Sequence, residues 1–249
     1  AKWWQLKEEA PDAPPREGTS GGDIRFLYLG QVKREKGIEI LVRSFYDSDG
    51  DGKGDIKGLT QKLDYLNDGN PETTSDLGIT ALWLMPINES PSYHGYDVVD
   101  YYAVDREYGT NEDFKLLMEE AHKRGIRVII DLVLNHTSTS NPWFIASDSG
   151  DPVYRDWYVW SESVPDYLGP WGQQVWYRGG DGFYYAVFWS GMPDLNLTNP
   201  VVTEEMYAIT AFWLNEMNVD GFRLDAIKHI VEKGIAQENT TDTHLWLQG

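Results

Sequence analysis

The chain has 249 residues, no cysteine and a net charge of −19. Disulfides and thiol chemistry are thereby excluded, and polyanionic partners such as nucleic acid or an anionic membrane are disfavoured by like-charge repulsion. No run of eighteen apolar residues occurs, so no membrane-spanning helix is expected.

In chain order, residues 1–23 are rich in Pro, Gly and acidic groups and read as a tail or linker. A short apolar strand is expected over 24–29 and a second over 38–42, continuing to Phe45. A helix follows over 57–67 with Leu59, Leu63 and Leu66 on one face. Residues 79–84 read as a strand closed by Met85-Pro86. Residues 111–124 read as a helix with Phe114, Leu117, Met118 and Ala121 inward, stopped by Gly125. A strand over 127–133 precedes about sixty residues, 137–199, too long for an ordinary loop. Six of the 11 Trp fall there, among them Trp171 and Trp189, and the stretch reads as a small inserted domain. A helix over 201–217 carries Val202, Met206, Ile209, Trp213 and Met217 inward. A strand over 219–224 and a helix over 228–238 come last.

Alternating strands and helices with nearly continuous apolar strands predict a parallel α/β fold. A doubly wound sheet and a (β/α)8 TIM barrel both fit. Polar groups at the C-terminal strand ends favour the barrel, because barrel sites are built there. These are Arg43, Asp131, Asn135, His136, Arg223, Asp225 and His229. The expected layout is the N-terminal half of a barrel, its first four β/α units (24–136 and 200–249), with the inserted B-type domain at 137–199.

Strand alternation puts Arg223 and Asp225 on one face. A guanidinium beside a carboxylate favours its ionised form, suited to a nucleophile or charge stabiliser. Asp131 can pair with Arg223 across adjacent strand ends, leaving Asp225 free to react. Asp47, Asp49, Asp51 and Asp55 occupy positions 1, 3, 5 and 9 of a calcium loop, with Gly52 at 6 and the Lys53 carbonyl at 7. Position 12 is Gly58, so the bidentate Glu of an EF-hand is lacking. A solvated acidic loop is the plain alternative. Four carboxylates in nine residues repel one another without a cation, which favours Ca²⁺.

Five motifs now stand in order: 78–86 (Gly-Ile-Thr-Ala-Leu-Trp-Leu-Met-Pro), Tyr93-His-Gly-Tyr-Asp97, Asp131 to His136, Met192-Pro-Asp-Leu-Asn196, and 221–229 (Gly-Phe-Arg-Leu-Asp-Ala-Ile-Lys-His). Together they resemble the α-amylase family of retaining glycoside hydrolases (family 13). The Met-Pro-Asp-Leu-Asn form resembles the subgroup intermediate between oligo-1,6-glucosidases and neopullulanases. The resemblance implies action on α-1,4-glucans such as starch and maltooligosaccharides, with Asp225 as nucleophile and Arg223 beside it. It implies substrate binding by Tyr96, His136, Lys228, His229 and Asp131. It implies a calcium at Asn135 and Asp194, and a separate one in the loop of Asp47, Asp49, Asp51, Lys53 and Asp55.

The family mechanism needs a second carboxyl, a general-acid Glu about 5–5.5 Å from the nucleophile. It lies at the end of the fifth strand, and no residue here matches it; Glu232 and Glu238 are expected on the helix after Asp225, facing the wrong way. The third carboxylate of the family, after the seventh strand, is not matched either. Two further readings therefore stand beside hydrolysis: an incomplete fragment that binds α-glucan or completes its site as a homodimer, and glucan transfer. Residues 23–41 are similar instead to a GT-B glycosyltransferase segment, without an accompanying nucleotide-sugar site, and read as a gene hybrid or misjoining. The N-terminus lacks a signal-peptide layout, and the reading favours a secreted mature protein over a cytoplasmic one.

Overall fold

The computed structural model describes residues 37–248. The tail, the expected strand at 24–29 and most of the transferase-like segment lie outside the described residues. The elements run β1 (Gly37–Ile40), α1 (Ile56–Gln61), α2 (Leu63–Leu66), β2 (Ala81–Leu84), β3 (Asn88–Glu89), β4 (Asp100–Val104), α3 (Asn111–Lys123) and β5 (Arg127–Val133). They continue with α4 (Pro142–Asp148), β6 (Trp160–Ser161), β7 (Trp176–Gly179), β8 (Gly182–Tyr185), α5 (Pro200–Asn215), β9 (Gly221–Asp225) and α6 (Thr241–Trp246).

Four strands make one parallel sheet in the order β1-β2-β5-β9. Its register aligns Ile40, Leu84, Ile130 and Phe222 in one row, and all four are buried. A β-strand alternates faces, so Trp83, Asp131, Arg223 and Asp225 belong to the opposite face. One face is thus an apolar seat for the helices, and the other carries polar groups at the strand ends.

The helices are set by caps and apolar stripes. Thr110 and Asp113 form a capping box at the start of α3. Asn199 caps α5, whose first residue is Pro200. Val202, Met206, Ile209 and Trp213 of α5 and Met217 just beyond it are all buried. Trp213 meets Phe114 of α3 edge to face at 5.5 Å, and its Nε1 donates to the Tyr101 carbonyl at 2.8 Å. Its buried N–H is therefore satisfied, which lets so large a side chain sit fully inside.

Three expectations are corrected. The first strand ends at Ile40, and Val42–Ser44 is a 3₁₀ turn. Gly54 packs on that turn so closely that a Cβ would stand 2.1 Å from the Val42 carbonyl. The helix expected at 57–67 is two short pieces, α1 and α2, divided at Lys62. The helix expected at 228–238 does not form. After β9, Ala226 adopts a left-handed conformation (φ 52°), and only Ile227–His229 make a 3₁₀ turn. The chain then reverses through paired backbone hydrogen bonds between Lys233 and Ala236. His229 Nδ1 against the Gln237 carbonyl at 2.6 Å ties the two ends of this loop. These tertiary ties override the local apolar spacing. Helical structure resumes only at α6, where Thr240 accepts from the Thr243 N–H.

Within 137–199, β6, β8 and β7 form an antiparallel sheet in that order. Phe144, Trp157, Tyr158 and Tyr184 join the main core, while Val175, Trp176, Tyr185 and Val187 make a small core of their own. The return segment docks back on the barrel side: Leu195 N donates to Asn135 O at 2.8 Å and Thr137 N to Pro193 O at 3.1 Å.

Candidate active site

The parallel register sets Asp131 of β5 directly beside Arg223 of β9. Arg223 Nη1 donates to Asp131 Oδ1 at 2.7 Å and to Asp225 Oδ1 at 2.5 Å. Arg223 thus bridges both carboxylates, the guanidinium lying beside Asp225 as strand alternation suggested and reaching Asp131 as well. Asp131 is 1% exposed; its other oxygen receives Trp83 Nε1 at 3.2 Å and Tyr96 OH at 3.3 Å. Burial pushes the Asp131 carboxyl up to about 6, against the pull of Arg223. At neutral pH it stays ionised and fixes the guanidinium, whose carbon lies 5.4 Å from the Trp83 ring centroid.

Asp225 opens onto a cavity of about 330 Å³ lined also by His94, Tyr96, His136, Phe188, Trp189 and Met192. Asp225 is the sole carboxylate among the described residues that line it. His136 Nε2 is buried and has no hydrogen-bond partner. Burial pushes its imidazole down to about 4, so the ring is neutral at pH 7 and holds one unfilled hydrogen-bonding position toward the cavity. Tyr96 reaches the cavity because Gly95 passes Pro86 with φ +78°; a Cβ there would stand 2.9 Å from the Pro86 carbonyl. Burial raises the Tyr96 hydroxyl, which stays protonated. Ser90 Oγ donates to the buried Asp97 at 2.8 Å, and Ser92 Oγ reaches both Asp97 and the His94 ring, which fixes the wall carrying Tyr96.

Lys228 and His229 do not line this cavity, though His229 packs edge to face at 5.6 Å on Phe188, which does. Lys228 pairs with Glu238 and stands 5.9 Å from the centroid of the Trp171 ring. His229 is 1% exposed, and burial lowers its ring below the usual histidine range. Glu238 is therefore engaged with Lys228, and Glu232 is turned inward, not carried on a helix face. Arg43 is not with the strand-end group: it pairs with Glu107.

In the acidic loop, the carboxylate oxygens of Asp47, Asp49 and Asp55 lie within 4.8 Å of one another. Asp51 does not join them; its Oδ1 accepts the Lys53 N–H at 2.8 Å. The Lys53 ammonium pairs with Glu107. Hard carboxylate oxygens at this spacing fit Ca²⁺. At the second expected site, Asn135 Nδ2 donates to Asp194 Oδ2 at 2.8 Å, and both residues are 1% exposed. The two residues come together where the inserted segment meets the end of β5.

His94, Phe188, Trp189 and Met192 line the cavity without having been assigned a role from sequence. His94 and Met192 lie inside motifs already singled out, and Trp189 is a half-exposed indole, a usable signal in hindsight.

Residues 39–248 match the model of the α-amylase catalytic domain. The chain is 53% identical over 195 residues to Alpha-amylase 3 of Dictyoglomus thermophilum, covering 78% of this chain and 36% of that protein. It is 43% identical over 202 residues to an oligo-1,6-glucosidase of Heyndrickxia coagulans, covering 77% of this chain and 35% of that one. Among solved structures, an α-amylase from H. orenii superposes with a TM-score of 0.78 at 52% identity, over 85% of this chain and 43% of that one. The chain spans about a third of the length of these curated relatives.

Proposed function

The chain belongs to the α-amylase family and carries the first part of its (β/α)8 barrel; from that premise we propose that it supplies the nucleophile half of a retaining site for α-1,4-glucans, with Asp225 attacking the anomeric carbon. The observation that carries this reading is the placement of Asp225: bonded to Arg223, facing a cavity wide enough for a sugar ring, with His136 and Tyr96 on its wall. Asp225 Oδ would form a bond to the anomeric carbon as the glycosidic C–O bond breaks. The departing oxygen takes a proton from a general acid, and water then releases the sugar with its configuration retained. His136 would donate or accept one hydrogen bond to a sugar hydroxyl, and Tyr96 would offer an aromatic face to the ring. Asp131 acts through Arg223 and is a positioning residue.

Calcium ions at the 47–55 loop and at Asn135–Asp194 would be structural. Bound there, Ca²⁺ supplies countercharge to carboxylates. Asp47, Asp49 and Asp55 would hold the first, and Asp194 with Asn135 the second, alongside the docked return segment of 137–199.

The described cavity lining contains no second carboxylate, so the test uses a leaving group that needs no proton. With α-glucosyl fluoride, the protein is expected to release fluoride in a glycosylation step that Asp225→Asn abolishes. Equal release by D225N would overturn the assignment. A second reading is favoured by β9, whose outer edge pairs with no other strand among the described residues: a further half-barrel, such as a second copy of the chain, would cover that edge and complete the site. A strictly monomeric mass by light scattering at micromolar concentration would sink it.

A further inference from the structure

We infer that Trp171 is a sugar-binding residue beyond the Asp225 cavity: its exposed indole face is the platform for the glucose unit next to the one held at Asp225, so that the site selects glucan chains over single glucosides. This rests on the reading of the cavity as the seat of the reacting sugar and adds to it a residue that lies outside all five motifs.

The observation is a half-exposed indole joined to the cavity by a file of rings. Trp171 and Trp189 are the exposed tryptophans among the described residues, at 56% and 49%. Trp189 lines the cavity itself, and Trp171 does not. The Trp171 ring stands 5.8 Å from that of Phe188, which lines the cavity and meets His136 edge to face at 5.1 Å. Trp171 also meets His229 at 5.6 Å, and the Lys228 ammonium lies 5.9 Å from its centroid. Trp171 therefore spans the gap between the cavity and the Lys228–His229 pair outside it. The Lys228 ammonium has three donors and Glu238 engages it from one side, so N–H groups remain beside the indole for sugar hydroxyls.

The local chain is built to present this ring. Pro170 and Trp171 are the central residues of a β-turn closed by the Gly172 N–H on the Gly169 carbonyl at 2.9 Å, with Pro and Gly at positions such a turn favours. Gln173 fixes the turn three times. Its carbonyl accepts the Gly169 N–H at 2.7 Å, its Oε1 accepts the Trp171 N–H at 2.9 Å, and its Nε2 donates to the Val187 carbonyl at 2.7 Å. Gln237 Nε2 donates to the neighbouring Leu168 carbonyl at 2.7 Å, which ties the turn to the loop after β9. The backbone under the indole is thus held before any ligand arrives, and a preorganised group gives up little freedom on binding. A ring needed only to cover Phe188 and His229 would lie buried against them, whereas more than half of this one faces out. A flat apolar face of that kind covers the C–H side of a sugar ring, with polar groups at its edge for the hydroxyls.

The test uses the whole chain and N-bromosuccinimide, which oxidises exposed indoles, with peptide mass mapping of Trp171 and Trp189. Methyl α-glucoside, a single ring, is expected to protect Trp189 and leave Trp171 reactive. Maltotetraose is expected to protect both, with mannitol at equal concentration as the control for consumption of the reagent. Protection of Trp189 alone by maltotetraose would overturn the inference and leave the cavity reading standing; protection of neither indole would overturn both. Calorimetry gives a second readout. Trp171→Ala is expected to lower the ratio of maltotetraose affinity to methyl α-glucoside affinity by about tenfold, and Trp171→Phe, which keeps a flat ring, to restore most of it. Equal weakening of both ligands by Trp171→Ala would mark Trp171 as a packing residue and sink the inference. The oxidation experiment needs no variant, so the inference stays open to refutation even where Trp171→Ala fails to fold.

Discussion

Two carboxylate pairs lie at the same end of the sheet and are compensated in opposite ways. Asp131 and Asp225 are joined by one guanidinium, and the pair borders an open cavity. Asp194 and Glu232 meet with no basic group beside either; Asp194 is buried, whereas Glu232 is half-buried and lines a cavity. Burial alone therefore does not say what a carboxylate is for. The first pair shares one positive charge within the protein and leaves one carboxylate facing substrate space. The second has no cationic partner among the described residues. Removing a charge should accordingly have opposite effects at the two places.

The largest effect is expected at Asp225. Asp225→Asn should reduce fluoride release from α-glucosyl fluoride to the background rate with little change in melting temperature. Next comes Arg223→Met, which strands Asp131 without its partner. Breaking a buried ion pair costs roughly 3–5 kcal/mol, and the 36% exposure of the Arg223 side chain places the loss near the lower end. Denaturant unfolding reads it directly. Asp131→Asn on top of R223M should recover part of that loss, a coupling that independent sites would not show.

A pH prediction follows from His136. Its folded-state value near 4 lies below its ordinary 6.5, so between those values the unfolded chain binds more protons than the folded one. Stability should rise with pH through that window and be lost as pH falls from 6.5 toward 4, by roughly 3 kcal/mol at the acid limit. His136→Gln should flatten that part of the stability profile. Glu232→Gln should act in the other direction from R223M, raising stability in the same denaturant unfolding, because it relieves the contact of two carboxyls that meet without a cation. The smallest effect is expected for Asp49→Asn in the exposed loop: unchanged stability in chelator, and a loss of calcium-linked stabilisation governed by mass action.

The strand and helix pattern was legible where one residue's environment was decided by its own element. The five inward residues of 201–217 are all buried, and the 127–133 strand has its expected limits. Arg223 and Asp225 converge because strand alternation is strictly local. The sequence failed after β9, where apolar spacing over 228–238 suggested a helix. There the outcome depends on His229 gripping Gln237 and on the reversal at Lys233–Ala236, contacts that no local pattern announces. The fate of Glu232 follows from that same reversal, which is why its burial against Asp194 could not be read in advance. In the loop of 47–55 the spacing of aspartates was plain, yet it did not say which would converge. Asp51 instead turns to the Lys53 backbone, and Asp47, Asp49 and Asp55 meet.

The most direct test of Asp225 as nucleophile is to trap the glycosylated protein. Incubation with 5-fluoro-α-glucosyl fluoride, which slows the second step more than the first, should add one fluoroglucosyl group to the intact mass. Peptide mapping should place it on Asp225, and D225N should take up none. A label on any other residue, or equal labelling of D225N, would contradict the account.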